Sequence, residues 1–190
     1  MKIKFLQAYV NVSKPSLDLL VHHARETEVG IVLVSEPNYI PATSNWYASR
    51  DGKAAIFVDP FHLSLKCEVA RIGSRFIALS YGPYLVICIY APPSIDLREF
   101  NDLLDELSEI LSYRVSKIIL GGDFNSKASL WGSNSTDRRG FLLSRWAAER
   151  DLKIANIGEK PTCIRPQGSS IVDLTWISSD LTQLVRDWRV

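Results

Sequence analysis

At 190 residues the chain is long enough for one domain with a sizeable core and too short for two comfortable ones. Hydrophobic residues at 46% and charged residues at 23% exclude long disorder. Twenty-two basic side chains against twenty-one acidic ones leave a formal net charge of +1, which neither signals nor excludes a nucleic-acid partner, so any basic surface must be local.

The chain opens with IKFLQAYV, which reads as a strand. SKPSLDLLVHHARETEVG reads as a helix with Ser13 as its cap, Pro15 in its first turn, and Leu17, Leu20, Val21 and Ala24 on one face. GIVLVSEPN is a short, continuously apolar run ending in polar residues and proline, the pattern of a strand buried on both faces. WYASRDGKAAIFV follows, with Asp51-Gly52 as a hairpin turn, then LKCEVARIGSRFIALSYG and YLVICIYAPPS; four or five antiparallel strands fit here. Ser94 is the expected cap of a helix through IDLREFNDLLDELSEILSYR, where Leu97, Phe100, Leu104, Leu107 and Leu111 recur at helical spacing. KIIL is a strand that halts at a glycine pair, RRGFLLSRWAAERDL a helix, and SSIVDLTWIS a strand. Strands mixed with helices in this order predict an α/β sandwich, two sheets packed together with helices outside.

The three cysteines, Cys67, Cys88 and Cys163, stand singly, offer no zinc spacing and fit a reducing compartment. Cys88, inside YLVICIY, reads as a small core hydrophobe. No apolar run approaches the roughly 20 residues of a membrane span, and the N-terminus is too short and too alternating for a signal peptide. The expectation is a soluble, intracellular protein with no membrane partner.

Chemistry in sheets flanked by helices collects at strand ends, where rigid strands fix the side chains of neighbouring loops. Glu36 follows GIVLVS, Tyr90 ends YLVICIY, Asp123 and Asn125 follow KIILGG, and Asp173 interrupts SSIVDLTWIS. Each has a plain structural explanation as well. Asp123 and Asn125 suit an Asx turn, Glu36 a solvated loop before Pro37, and Tyr90 a core tyrosine with its hydroxyl satisfied. Asp173 is the hardest to explain this way, because burying it costs free energy unless something pairs with it.

With these residues in place, LQAYVN, VSEPN, IYAPPS, GGDFNSKASLWGS and PTCIRPQGSSIVDLTWIS together resemble the exonuclease-endonuclease-phosphatase superfamily. Within it they are most similar to the apurinic/apyrimidinic-endonuclease-like domain of non-LTR (LINE) retrotransposons, and LQA, SEP, YAPPS and LWGS to arthropod elements that insert at fixed sites such as ribosomal DNA or telomeric repeats. The resemblance implies a four-layer, DNase I-like sandwich of two mixed, mainly antiparallel sheets. It implies a magnesium-dependent DNA endonuclease, with manganese able to stand in, that nicks double-stranded target DNA and leaves a 3′-hydroxyl for the element's reverse transcriptase. That enzyme is expected downstream in the same polyprotein, and the place of work is the host nucleus. By the same resemblance Glu36 is the main metal ligand, Asp123 orients or deprotonates the attacking water, the Asn125 amide and the Tyr90 hydroxyl bind the phosphate, and Asp173 holds a histidine.

The sequence departs from that family in two places. Tyr9 stands where an asparagine is usual, and strand alternation puts Asn11 on its face, so Asn11 is a candidate metal residue. The closing Ser-Asp-His triplet is absent: His22 and His23 lie in the first helix, His62 follows Pro60, and the chain ends at VRDWRV. The expectation is a single endonuclease domain over 1–190 whose last strand lies beyond Val190. Lys127, Arg138, Arg139, Arg165, Ser170 and the loop SNWYASR with Asn45 are candidate DNA contacts, each also explicable as solvated surface. Trp131 either supports the loop under the phosphate or packs. Two other functions stay open, a phosphatase or phosphodiesterase of the same superfamily and a catalytically inactive DNA-binding module.

Overall fold

The computed structural model describes residues 3–112, 117–158, 160–166 and 168–190, and of Arg165 the backbone alone. The first strand, β1 (Phe5–Tyr9), leads into helix α1 (Lys14–Glu26), capped as expected by Ser13, whose hydroxyl accepts from the Ser16 N–H. β2 (Ile31–Ser35), β3 (Trp46–Ala48) and β4 (Ala54–Val58) complete a four-stranded sheet in the order β1-β2-β4-β3, with β1 parallel to β2 and the other pairs antiparallel.

The second sheet takes β5 (Cys67–Ile72), β6 (Phe76–Tyr81), β7 (Tyr84–Tyr90), β8 (Lys117–Asp123), β9 (Leu152–Ile154) and, after a separate hairpin of β10 (Cys163–Arg165) and β11 (Gly168–Ser170), β12 (Asp173–Ser178). Its order is β5-β6-β7-β8-β12-β9, and β7-β8 is its parallel pair. Helices α2 (Leu97–Leu111) and α3 (Arg138–Glu149) cover its outer face.

Side-chain alternation shows why so many strands are apolar throughout. In β2, Ile31 and Leu33 face the second sheet while Val32 and Val34 face α1; in β7, Val86 and Cys88 point inward while Leu85, Ile87 and Ile89 meet α2 and α3. A strand with a sheet on one side and a helix on the other has no solvent face, so its hydrophobic pattern is continuous. The layers run α1, first sheet, second sheet, α2 with α3: the four-layer sandwich of mixed, mainly antiparallel sheets that the resemblance implied.

The structure corrects three local expectations. The cap of α2 is Asp96 rather than Ser94: its carboxylate accepts from the Arg98 and Glu99 N–H groups while Glu99 accepts from the Asp96 N–H, a complete capping box. The expected end of that helix at Tyr113 and Arg114 lies outside the described residues. The glycine pair does not end β8, which continues to Asp123. Glycine is required there because the strand is pressed on both sides: a Cβ at Gly121 would lie 2.5 Å from Gln7 Oε1, and one at Gly122, at φ +144°, would lie 1.9 Å from the Ile89 carbonyl oxygen. SSIVDLTWIS is broken at Ile171 and Val172, so Asp173 starts a strand instead of interrupting one. The short β9 and β10 carry too few residues for a periodic signal and are legible only as partners of β12 and β11.

Candidate active site

The strand ends of both sheets meet at one edge of the sandwich. Strand register places Tyr90 opposite Asp123 and Asp123 opposite Asp173, so three of the expected residues stand in one row across β7, β8 and β12. Residues directly opposite share a face. That face is the inner one, since Leu174 and Trp176 alternate outward into the helical layer.

From the first sheet comes Glu36, one residue past β2, with its backbone in the left-handed region at φ +54°. Its N–H donates to the Lys53 carbonyl at 2.7 Å and its carbonyl accepts from the Val12 N–H at 2.9 Å. Asn11 (φ 48°), Val12 (φ 56°) and Asn125 (φ 43°) share this unfavourable conformation at the same edge. Strained backbone clustered at strand ends is held by its surroundings and marks functional positions.

A phenol grips the Glu36 carboxylate and a second stands beside it. Tyr9 Oη donates to Glu36 Oε2 at 2.7 Å and contacts Asn11 Oδ1 at 3.0 Å, and the Tyr9 and Tyr90 rings stack with centroids 6.4 Å apart. Burial, then the charge of Glu36, holds the Tyr90 hydroxyl well above the usual phenol range, so it remains a neutral donor. Asn11 reaches this cluster from the turn after β1 and not, as strand alternation suggested, from the strand itself, which ends at Tyr9.

The Asp123 side reconciles two explanations of one motif. Asp123 Oδ1 accepts from the Asn125 N–H at 2.8 Å, an Asx turn, and Asn125 Nδ2 donates to the Ala91 carbonyl at 3.1 Å. The turn fixes both side chains beside Tyr90. Asp173 has an inner carboxylate oxygen without a hydrogen-bond partner, and burial lifts its pKa to about 6 against the opposing pull of its Thr162 hydrogen bond. None of the histidines is placed to pair with it. His22 lies against Glu26 near the far end of α1, and His62 sits where the Asp59 N–H meets the Gly30 carbonyl, at the other end of β2 from Glu36.

Three supporting residues escaped the sequence reading. Ser35 Oγ accepts from the Asp123 N–H at 3.2 Å and donates to the Ile89 carbonyl at 3.3 Å, tying the ends of β2, β7 and β8 together. Lys53 Nζ lies 4.0 Å from Glu36 Oε1. Thr162 Oγ1 accepts from the Val172 and Asp173 N–H groups, each at 3.1 Å. The signal for Ser35 was present, a polar residue ending a wholly apolar strand.

The expected DNA contacts are dispersed. Arg138 is exposed on the first turn of α3, and Lys127 is exposed with its backbone pinned to Asp137. Arg139 is occupied: its guanidinium donates to the carbonyls of Pro92, Pro93 and Ile95 and lies over the Phe100 ring, and burial lowers its pKa. Ser170 closes the β10–β11 hairpin, its carbonyl accepting from the Thr162 N–H. The side chain of Arg165 lies outside the described residues. Asn45 is at the wrong edge, because its carbonyl accepts from the Val58 N–H and Val58 pairs with Ile31, at the opposite end of β2 from Glu36. Trp131 packs, edge-on to Trp176 at 5.8 Å.

A carboxylate and an amide oxygen, Glu36 and Asn11, form an all-oxygen donor set of the kind a hard divalent cation takes together with waters. Among the described residues no trio of His, Cys, Asp and Glu converges into a cage. Glu36 and Asn11 are therefore the residues of this edge that could hold a divalent ion, with water completing its shell.

A sandwich of this topology, with acids, an amide and phenols gathered at one edge, belongs to the DNase I-like class of folds. The chain belongs to the endonuclease-reverse transcriptase family, whose model matches residues 84–190. It is 25% identical over 153 residues to a probable RNA-directed DNA polymerase from transposon X-element of Drosophila melanogaster, an alignment covering 71% of this chain and 16% of that protein. The chain therefore spans only a small part of that relative's length. Among solved structures it superposes on the endonuclease domain of TRAS1, a telomere-specific non-LTR retrotransposon, with a TM-score of 0.85 and 27% identity, covering 99% of this chain and 90% of that one. A 3′-5′ exonuclease from Neisseria meningitidis shares the fold, with a TM-score of 0.67 at 15% identity, covering 98% and 90% of the two chains. The resemblance to non-LTR retrotransposon endonuclease domains is borne out by these matches.

Proposed function

We propose that this domain is a divalent-metal-dependent DNA endonuclease that nicks double-stranded target DNA at a chosen site and leaves a 3′-hydroxyl from which the element's reverse transcriptase primes synthesis. The observation that carries this reading is the convergence of Glu36, Tyr90, Asp123, Asn125 and Asp173 at one edge of a sandwich matched in full by a retrotransposon endonuclease.

Glu36, with Asn11, would hold magnesium, or manganese in its place. A bound divalent cation neutralises phosphate oxygens and the leaving alkoxide. Asp123, fixed by its Asx turn, orients the attacking water and accepts its proton. Asn125 spends one amide hydrogen on Ala91 and keeps the second for a phosphate oxygen. Tyr90 remains neutral and can donate its hydroxyl proton to the phosphate as charge builds there. Lys127, Arg138 and the other loop cations would bind flanking phosphates. The reading places the work in the host nucleus.

The test is nicking of supercoiled plasmid with magnesium, by this chain and by its parent polypeptide, each beside Glu36→Ala and Asp123→Ala. Open circles from the unsubstituted protein and a loss of about 10²- to 10⁴-fold in each variant are expected. Phosphate release from small substrates without nicking would move the assignment to a phosphatase. Duplex binding without cleavage at any metal concentration would make it a binding module.

A further inference from the structure

The geometry points to Tyr9 as a positioning residue for Glu36; this rests on the metal-dependent nuclease reading above. Tyr9 ends β1 on the face turned to the second sheet, with its hydroxyl 2.7 Å from Glu36 Oε2 and 3.0 Å from Asn11 Oδ1. A phenol owns one proton and can donate it to only one of these oxygens. The shorter contact and the full charge of the carboxylate assign it to Glu36. The Asn11 contact is then satisfied by turning the amide over, so that Nδ2 donates to the phenolic oxygen; the two ends of an amide are told apart by their hydrogen bonds alone. The result is a polarised chain from the Asn11 amide through the Tyr9 hydroxyl to the Glu36 carboxylate. It leaves Asn11 Oδ1 free of Tyr9, as its assignment to the cation requires.

A neutral donor suits this place. Lys53 already stands 4.0 Å from Glu36 Oε1, and a phenol restrains the carboxylate without adding a further positive charge against the one that attracts a divalent ion. The Tyr90 ring stacks against Tyr9 and holds the phenol in place. A carboxylate oriented before the cation arrives loses little freedom on binding it, and partners of this kind are worth about 10- to 100-fold in metal affinity.

The alternative is that Tyr9 contributes only ring packing against Tyr90. Tyr9→Phe separates the two, since it keeps the ring and removes the hydroxyl. Manganese affinity is measured without DNA, from the electron paramagnetic resonance signal of the unbound ion, beside the metal-free thermal midpoint and the magnesium dependence of nicking. Tyr9→Phe is expected to weaken manganese binding by about 10-fold or more and to raise the magnesium needed for half-maximal nicking, with the metal-free midpoint little changed. Tyr9→Asn, which restores an amide, is expected to bind manganese more tightly than Tyr9→Phe. Wild-type affinity and magnesium response in Tyr9→Phe, or the reverse order of the two variants, would overturn the assignment while leaving the nuclease reading intact. An unsubstituted protein that neither binds manganese nor nicks would overturn both.

Discussion

Glu36 and Asp173 are both acids at strand ends, and their surroundings set them to opposite tasks. Glu36 accepts from the Tyr9 phenol and lies near Lys53, so its carboxylate is partnered without being fully buried. Asp173 has one buried oxygen with no partner, and its folded-state pKa of about 6 lies above the ordinary 3.8. Between those values the folded protein binds the proton more tightly than the unfolded chain. This stabilising contribution is therefore present at acid pH and is lost as pH rises through about 6. Asp173→Asn should accordingly raise stability at pH 8 by of order 1–3 kcal/mol and have little effect at pH 4, read from denaturant unfolding at the two values. An equal effect at both would contradict a raised pKa. Ser35 supports a second prediction at this scale. Ser35→Ala removes the hydroxyl to which the Asp123 N–H donates and should cost about 0.5–1.5 kcal/mol in thermal unfolding. It should also slow nicking, because the ends of β2 and β8 lose their direct link.

Among the elements, α2 shows how local chemistry and periodicity divide the work. Its apolar face, with Phe100, Leu104 and Leu107 buried, was legible from spacing alone. Its start was not, since Ser94 and Asp96 are both good caps in isolation and only Asp96 has a glutamate three residues on. The capping box was visible in the letters DLRE, and reading it would have placed the boundary correctly. Asp96→Ala should cost about 0.5–2 kcal/mol, and Ser94→Ala should be nearly silent in the same unfolding assay. β8 was legible as a strand, but its last three residues were not. Two glycines ordinarily punctuate a strand, and here they persist because Gln7, Leu33 and the Ile89 carbonyl leave no room for a Cβ. That reason lies in partners more than thirty residues away for Ile89, and further still for the other two.

Across the whole molecule, net charge gives no direction to a DNA partner, so binding must depend on which cations stand at the edge carrying the site. Lys127 and Arg138 are exposed in the loop and helix start that follow Asp123, whereas Asn45 sits at the opposite end of β2. Lys127→Ala and Arg138→Ala should each lower the slope of log affinity against log salt by about 0.9, and Asn45→Ala should leave it unchanged. Equal slopes in all three variants would show that DNA approaches another face. The sequence by itself determined the order of the longer strands and helices, the sandwich class and the strand-end positions of Glu36, Tyr90, Asp123 and Asn125, because hydrophobic period and strand-end chemistry are local properties written in consecutive residues. Only the tertiary structure decided that Tyr90, Asp123 and Asp173 stand in one row, that Tyr9 grips the Glu36 carboxylate, that Ser35 ties the sheets together, and that Asn45 lies at the opposite end of β2 from Glu36. Each of these depends on strand register and on the facing of two sheets, and those follow from how distant segments pack against one another.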